Sequence, residues 1–255
     1  MAKILVVASW HDVPTTISAY SAVSVAEKLL SKGHEVDLAF GMSASRIPLM
    51  VYLSLKNYDM IVYSGHGTDN TWVGNDLLFG MISTDNVDVL RGRIAIGIPV
   101  CLSARVLGPE AVRKGALSFM GSKDLMWCAF PEVDHNYMED FIDCWQTPVL
   151  EVADGATVKE AYDCYVEKCK SYLDLYESKI DVWHNADWYY EALEKNMEYY
   201  TVLGRLDSTI NDAEKSHKGN PSVGLALFMF TVIPLTIAGA TAVSLMLKEK
   251  IYSKV

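Results

Sequence analysis

The sequence predicts an α/β fold in which helices cover both faces of a mostly parallel β-sheet, followed by more helices and one C-terminal transmembrane helix. Apolar runs alternate with amphipathic stretches between residues 3 and 122, which is typical of parallel sheets buried on both faces. After Gly121 the apolar spacing becomes helical. Residues 223–247 contain no charged side chain, and a helix of that length spans the roughly 30 Å of a bilayer core.

The period of the apolar residues gives each element in turn. Strands are predicted at residues 4–8, 35–40, 58–63, 93–100 and 116–120, with helices at 15–32, 44–56 and 104–114 and a loop-rich stretch at 64–86. Further helices are predicted at 132–145, 157–179 and 183–203. We therefore expect one folded domain at 1–204, a polar linker at 205–221, a transmembrane helix at 222–247 and a short tail at 248–255.

Composition and charge narrow the class of protein. The chain has 255 residues, 51% of them hydrophobic, and a formal net charge of -10. An acidic chain without a basic stripe does not attract phosphate backbones, so nucleic acid is not expected as a partner. Its five cysteines are scattered and form no C-x-x-C pair, which indicates reduced thiols rather than disulfides or a zinc ribbon. The apolar run at 4–8 is too short for a secretory signal, so we expect a cytoplasmic domain on a single-pass C-terminal anchor.

Reactive side chains follow the predicted strands at the edge where parallel sheets bind ligands. His66 follows the third strand between Gly65 and Gly67, and Cys101 follows the fourth. A thiol nucleophile needs an imidazole to take its proton. The backbone N–H groups of Gly67 and Cys101 are candidates for an oxyanion hole. A helix beginning near Ala104 would favour the thiolate at Cys101.

These blocks resemble the caspase, gingipain and legumain clan of cysteine peptidases. The residues VYSGHGTDN are most similar to the gingipain-like and CHAT branches, and GALSFMGSKD resembles the strand after the nucleophile helix. The resemblance covers roughly residues 1 to 200. It implies a caspase-like sandwich, endopeptidase activity on a protein or peptide, His66 as general base, Cys101 as nucleophile and no metal or organic cofactor. The Q-A-C-x-G signature of true caspases is absent, since the chain reads PVCLS.

Substrate contacts are predicted in the loop after the first strand. Asp12 at a concave rim would receive a Lys or Arg side chain, although an Asp before Val13-Pro14-Thr15 is equally an N-cap for the following helix. His11 is a candidate second polar wall or a solvated loop residue, and Asp69, Asp76 and Asp124 are rivals of Asp12 at the same rim. Trp72 and Trp127 are candidates to flank the cleft.

Three functions remain open at the level of sequence. The first is a membrane-tethered cysteine endopeptidase, with transamidation as a variant in which an amine intercepts the thioester. The second is a caspase-like module that keeps the fold without activity and serves as an anchored interaction or signalling domain. The third is a flavodoxin-type binding domain, which is disfavoured because the loop at 9–16 has no glycine to approach a phosphate.

Overall fold

Two β-sheets, seven α-helices and two short 3₁₀-helices (Gly41–Ser43 and Val87–Leu90) lie in the part of the chain that the computed structural model describes, namely residues 1–76, 80–217, 245–247, 249 and 251. The strands are β1 (Lys3–Ala8), β2 (Glu35–Phe40), β3 (Met60–Ser64), β4 (Gly67–Thr68), β5 (Thr71–Val73), β6 (Gly80–Ser83), β7 (Ile94–Gly97), β8 (Ser118–Ser122) and β9 (Tyr200–Gly204). The helices are α1 (Val13–Ser31), α2 (Arg46–Leu55), α3 (Leu107–Arg113), α4 (Tyr137–Ala153), α5 (Val158–Glu177), α6 (Ala186–Tyr199) and α7 (Ile210–His217).

The large sheet has the strand order β2-β1-β3-β7-β8-β9. Its first five strands are mutually parallel, and β9 is antiparallel to β8 at the edge. The five strands predicted from apolar runs are these five parallel strands. The prediction of a mixed α/β fold with a mostly parallel sheet is therefore confirmed.

Alternate residues of each central strand enter two separate cores, as the period of a strand requires. Ile4 and Val6 of β1 pack in a core with α1, α4, α5 and α6. Leu5 and Val7 pack on the other face with Leu49 of α2 and with residues of α3, β5 and β6. The sheet is thus covered on both faces, which explains why its strands read as continuous apolar runs.

Several predicted elements differ from those in the structure. The stretch at 64–86, predicted as loop, holds the antiparallel sheet β4-β5-β6. The helix predicted at 183–203 ends at Tyr199, and β9 begins at Tyr200. The helix predicted at 132–145 is displaced to Tyr137–Ala153 and contains Pro148. Helix α7 lies inside the predicted linker. Strands β4, β5 and β6 are short, and β9 begins where the chain pairs with β8, so local periodicity does not predict these elements.

The transmembrane helix predicted at 222–247 lies outside the described residues, apart from 245–247. Within the described part of the chain, no helix has both the length and the apolar character needed to cross a bilayer.

Candidate active site

The carboxyl ends of four parallel strands bring the predicted functional residues to one edge of the sheet. Strands β1, β3, β7 and β8 end at Ala8, Ser64, Gly97 and Ser122. The loops after them contain His11 and Asp12, then His66, then Cys101, and finally Asp124. This is the edge at which open α/β sheets bind their ligands.

The loop that presents His66 passes tightly over the end of β1. Gly65 has a φ of +150°, and a Cβ atom there would lie 2.0 Å from Oγ of Ser9. Beneath it lies the buried Tyr63 hydroxyl, 3.3 Å from Oγ of Ser9, whose single proton is shared between the carbonyl oxygen of Val73 at 2.5 Å and that of His66 at 2.9 Å. The backbone of His66 is therefore fixed by a buried side chain of β3.

Gly67 lies directly against the backbone of Cys101. A Cβ atom at Gly67 would be 2.4 Å from the carbonyl oxygen of Cys101 and 2.5 Å from Cγ1 of Val100. Real Cβ atoms do not approach other heavy atoms this closely, so only glycine permits the contact. The segments that carry the histidine and the cysteine thus touch through Gly67.

The N–H of Gly67 points away from the small sheet. Gly67 pairs with Trp72 in the antiparallel ladder of β4 and β5, and the N–H of Val73 donates to the carbonyl of His66 at 3.0 Å. Hydrogen-bonded and non-hydrogen-bonded pairs alternate in such a ladder. The pair of Gly67 and Trp72 is therefore the non-hydrogen-bonded one, which leaves the N–H of Gly67 outside the ladder.

His66 forms its side-chain hydrogen bond with Asp12. Its Nε2 lies 2.6 Å from Oδ2 of Asp12, and the two side chains are 41% and 40% exposed. The other carboxylate oxygen, Oδ1, accepts from the backbone N–H of Thr15 at 2.9 Å and from its hydroxyl at 2.7 Å. Asp12 is thus the N-cap of α1, in a reciprocal capping box with Thr15. Partial burial raises the pKa of Asp12, but the hydrogen bonds from His66 and Thr15 outweigh it and lower the pKa to about 2.

The thiol of Cys101 is half-buried and accepts a hydrogen bond of 3.3 Å from the backbone N–H of Met126. Burial raises the pKa of this thiol, the negative charge of Asp124 raises it further, and the hydrogen bond from Met126 opposes them. The helix expected near Ala104 begins three residues later, since residues 101–106 form turns and α3 starts at Leu107. Its effect on the thiolate of Cys101 stays a prediction.

Leu102, next to Cys101, adopts a backbone conformation that L-residues avoid. Its φ is +61°, a left-handed geometry that costs an ordinary side chain about 1–2 kcal/mol. The turn is held in place because the N–H of Leu102 donates to the carbonyl of Asp124 at 3.1 Å and that of Ala104 donates to the carbonyl of Ser122 at 2.9 Å. Strained backbone of this kind often lies at functional sites.

The other acidic residues predicted at the rim, Asp69, Asp76 and Asp124, have environments that differ from that of Asp12. Asp69 and Asp124 lie 3.7 Å and 3.1 Å from the guanidinium of Arg105, so each already has a positive partner. Asp76 is half-buried and borders residues 77–79, which lie outside the described part. The predicted substrate contacts of Asp12, His11 and Asp69 stay predictions. The first two lie beside His66, while Asp69 pairs with Arg105.

The two candidate tryptophans have different environments. Trp72 is fully buried and stacks between Tyr63 and Phe119, so the expectation that it flanks the cleft is wrong. Trp127 is 40% exposed, and its backbone exchanges hydrogen bonds of 2.8 Å with the side chain of Asn196 on α6. The segment after Met126 is therefore fixed beside the site with one tryptophan facing solvent.

Sequence reasoning missed four residues that shape this site: Thr15, Tyr63, Leu102 and Met126. Thr15 is three residues after an Asp, and this capping spacing is a usable signal. Tyr63 reads as one more apolar residue of a strand. Leu102 and Met126 act through backbone geometry, which their identities do not reveal.

No protein-family model matches the chain, and no curated protein matches it in sequence. Among solved structures it is similar to the Arg-specific cysteine proteinase gingipain R, RgpB, with 13% identity over 81% of this chain and 47% of that chain, at a TM-score of 0.53. It is also similar to the complex of the Porphyromonas gingivalis RgpB pro- and mature domains, with 13% identity over 82% and 49%, at a TM-score of 0.51. The chain spans about half the length of these structures.

This likeness shows the fold, which is a mixed α/β fold with a mostly parallel sheet, consistent with a caspase-like fold. At the level of the fold, the predicted resemblance to the gingipain branch is supported, and that to the CHAT branch is not.

Proposed function

We propose that this chain is a cysteine-type endopeptidase in which Cys101 is the nucleophile and His66 the general base. The observation that supports it most is the contact between Gly67 and the backbone of Cys101. This contact joins the ends of two adjacent parallel strands on a fold shared with a cysteine proteinase. A protein or peptide is the substrate class that this chemistry takes.

The hydrogen bond to Asp12 assigns the two nitrogens of His66. Because Nε2 is 2.6 Å from Oδ2 of Asp12, Nε2–H donates to that carboxylate and Nδ1 is the nitrogen left to accept the thiol proton. Asp12 then acts as the third group of a nucleophile–base–carboxylate arrangement, holding the ring and stabilising the imidazolium that forms. Oδ2 of Asp12, which binds His66 in this role, is also the oxygen that a Lys or Arg side chain of the substrate would need.

Each chemical step then follows from these groups. The Cys101 thiol gives its proton to Nδ1 of His66, and sulfur attacks the peptide carbonyl carbon. The N–H groups of Gly67 and Cys101 bind the resulting oxyanion. The C–N bond breaks as the imidazolium protonates the leaving amine. A water molecule, deprotonated by His66, hydrolyses the thioester and restores the thiol.

A second candidate function is a caspase-like interaction module without activity. The raised pKa of the Cys101 thiol favours it, because a thiol that stays protonated at neutral pH is a poor nucleophile. The two candidates differ in one property, which is whether His66 speeds the reaction of Cys101.

The deciding experiment maps a limiting dose of iodoacetamide on the full chain by mass spectrometry, with Cys164 as the internal reference. Burial and the neighbouring acids raise the pKa of Cys164 as well, but this thiol takes no part in the site and lies on α5. Labelling of Cys101 faster than Cys164, and slowed at least tenfold by His66→Ala, supports the peptidase. A labelling rate of Cys101 that is unchanged in His66→Ala supports the inactive module. Cleavage of a peptide library that survives Cys101→Ala would sink the enzymatic proposal.

We also propose that residues 222–247 tether the domain to a membrane with the site on the cytoplasmic side. The absence of charged residues from 223–247 supports this proposal. A tether restricts cleavage to substrates close to the bilayer by raising their effective concentration. Flotation of the full chain with liposomes tests it against the chain without 222–247. Equal recovery of both in the soluble fraction contradicts the tether and leaves the peptidase proposal untouched.

A further inference from the structure

We propose that His11, Asp12 and His66 form a binding site for one Zn²⁺ ion. In the described part of the chain this is the one group of three such ligands, and its ligand atoms all lie within 4.8 Å of one another. Oδ2 of Asp12 is 2.6 Å from Nε2 of His66 and 3.8 Å from Nε2 of His11. Bonds of about 2.0–2.2 Å to a tetrahedral zinc ion put ligand atoms about 3.3 Å apart. Small side-chain rotations therefore bring all three to the same ion.

The ligands are already oriented by a residue behind them. Thr15 donates two hydrogen bonds to Oδ1 of Asp12, which leaves Oδ2 directed at the histidines. The hydroxyl of Thr15 also accepts the backbone N–H of His11 at 3.0 Å. Supporting hydrogen bonds of this kind fix the carboxylate of metal sites and are worth about 10–100-fold in affinity.

The donor set selects the metal. Two imidazoles and one carboxylate suit zinc and its neighbours in the first transition row, whereas Ca²⁺ and Mg²⁺ require mostly oxygen ligands. Three protein ligands leave the fourth tetrahedral position for water. The side chains of Asp12 and His66 are about 40% exposed, so the ion reaches the site without an opening of the fold. Zn²⁺ has no redox chemistry, so its binding requires neither an oxidant nor a reductant.

The consequence for activity rests on the proposed function. Because Zn²⁺ would bind Nε2 of His66, the proton of the neutral imidazole would be on Nδ1. A ring with Nδ1 protonated cannot accept the proton of the Cys101 thiol, so zinc binding switches the peptidase off. A chelator restores the free imidazole and with it the activity. The ion is thus a reversible inhibitor that acts through the base and leaves the nucleophile free.

The test is calorimetric titration of the untagged, metal-stripped full chain with ZnCl₂. We expect one Zn²⁺ per chain, at least tenfold weaker binding in His11→Ala and His66→Ala, and unchanged binding in His184→Ala. His184 is the matched control, since its Nδ1 lies 3.1 Å from Oε2 of Glu132 without a second histidine. Cys101→Ser should retain the ion, which separates this site from capture by the thiol. Melting temperatures without metal establish that each variant is folded.

Absence of zinc binding, or binding that His11→Ala leaves unchanged, overturns the site. Its link to activity is tested by iodoacetamide labelling of Cys101 with and without Zn²⁺. Protection is expected in the wild type and is lost in His11→Ala. The two proposals fail separately. Labelling in EDTA that ignores His66→Ala sinks the peptidase alone, and titrations insensitive to His11 sink the zinc site alone.

Discussion

Nε2 of His66 lies 2.6 Å from Oδ2 of Asp12, so the histidine at the end of β3 is tied to the N-terminus of α1. One carboxylate therefore has two structural tasks, one for each of its oxygens. Oδ1 caps the helix through Thr15, and Oδ2 holds the imidazole. The two tasks can be separated because asparagine caps helices about as well as aspartate but carries no charge.

Asp12→Asn should lower stability in a pH-dependent manner. The pKa of Asp12 is about 2 in the folded chain against an ordinary value of 3.8. A depressed pKa contributes stability that is fully present above the unfolded value and is lost as pH falls through the folded value. Because the side chain is 40% exposed, solvent screening reduces the contribution to about 1 kcal/mol.

Urea unfolding of both proteins at pH 6, 4, 3 and 2 measures this difference. We expect the free energy of unfolding of wild type to exceed that of Asp12→Asn at pH 6, and the gap to close between pH 4 and 2. A gap that stays constant over this range, or no gap at pH 6, would show that the charge of Asp12 does not stabilise the fold.

Tyr63→Phe should slow the reaction of Cys101 as well as destabilise the fold. The phenol of Tyr63 is buried and lies 2.5 Å from the carbonyl oxygen of Val73 and 2.9 Å from that of His66, the two acceptors of its proton. Removing it leaves buried acceptors short of a donor, at a cost of about 1–3 kcal/mol. The backbone that carries the base also loses its anchor. Iodoacetamide labelling of Cys101 and urea unfolding measure the two effects.

The matched control is Tyr58→Phe. Tyr58 is as buried as Tyr63, and its hydroxyl donates to Asp37 at 2.6 Å. Asp37 belongs to β2. We expect a similar loss of stability in the control with no change in labelling. Equal labelling rates in both variants would mean that Tyr63 has a purely structural role.

The sequence predicts the large sheet better than the site. Strands buried on both faces are continuous apolar runs, and the predicted second strand has the bounds of β2 (Glu35–Phe40). By contrast β4, β5 and β6 have only two to four residues each, which is too short for a period to be visible. Strand β9 exists because it pairs with β8, whereas its own residues continue the helical pattern of α6.

The site illustrates the same limit for side chains. The types of His66 and Cys101 and their order along the chain are enough to suggest thiol chemistry. The partner of the histidine, however, is 54 residues away in sequence, and an aspartate followed by Thr15 reads as a cap. The raised pKa of the Cys101 thiol depends on burial, which the chain around it does not encode locally.

Gly67→Ala should disable the site by steric overlap alone. The added Cβ atom would be 2.4 Å from the carbonyl oxygen of Cys101, and overpacking of this kind costs about 1–3 kcal/mol. We expect the shift to fall on Cys101, so that His66-dependent labelling is lost. Gly155→Ala is the control. Its φ of +105° strains the backbone, but no atom lies within 4 Å, so it should cost stability without altering the labelling of Cys101. Unchanged labelling in Gly67→Ala would show that the two segments absorb the added methyl group without moving Cys101 relative to His66.

Leu102 offers a test of the strained turn beside the nucleophile. At a φ of +61° any residue with a Cβ atom is disfavoured by about 1–2 kcal/mol relative to its right-handed form, while glycine is not. We therefore expect Leu102→Gly to be more stable than Leu102→Ala by about 1 kcal/mol, the reverse of the usual order. Both variants lose the contacts of the leucine side chain, so this loss largely cancels when their free energies of unfolding are compared.

The control pair is Leu125→Gly and Leu125→Ala, at an exposed leucine in the loop that follows β8. Leu125 does not have a positive φ, so here glycine should be the less stable by about 0.4–1 kcal/mol because it adds freedom to the unfolded chain. Urea unfolding of the four variants gives both differences. Opposite signs at the two sites establish that the turn after Cys101 stores strain, whereas glycine being the weaker residue at both would mean that the turn relaxes when its side chain is removed.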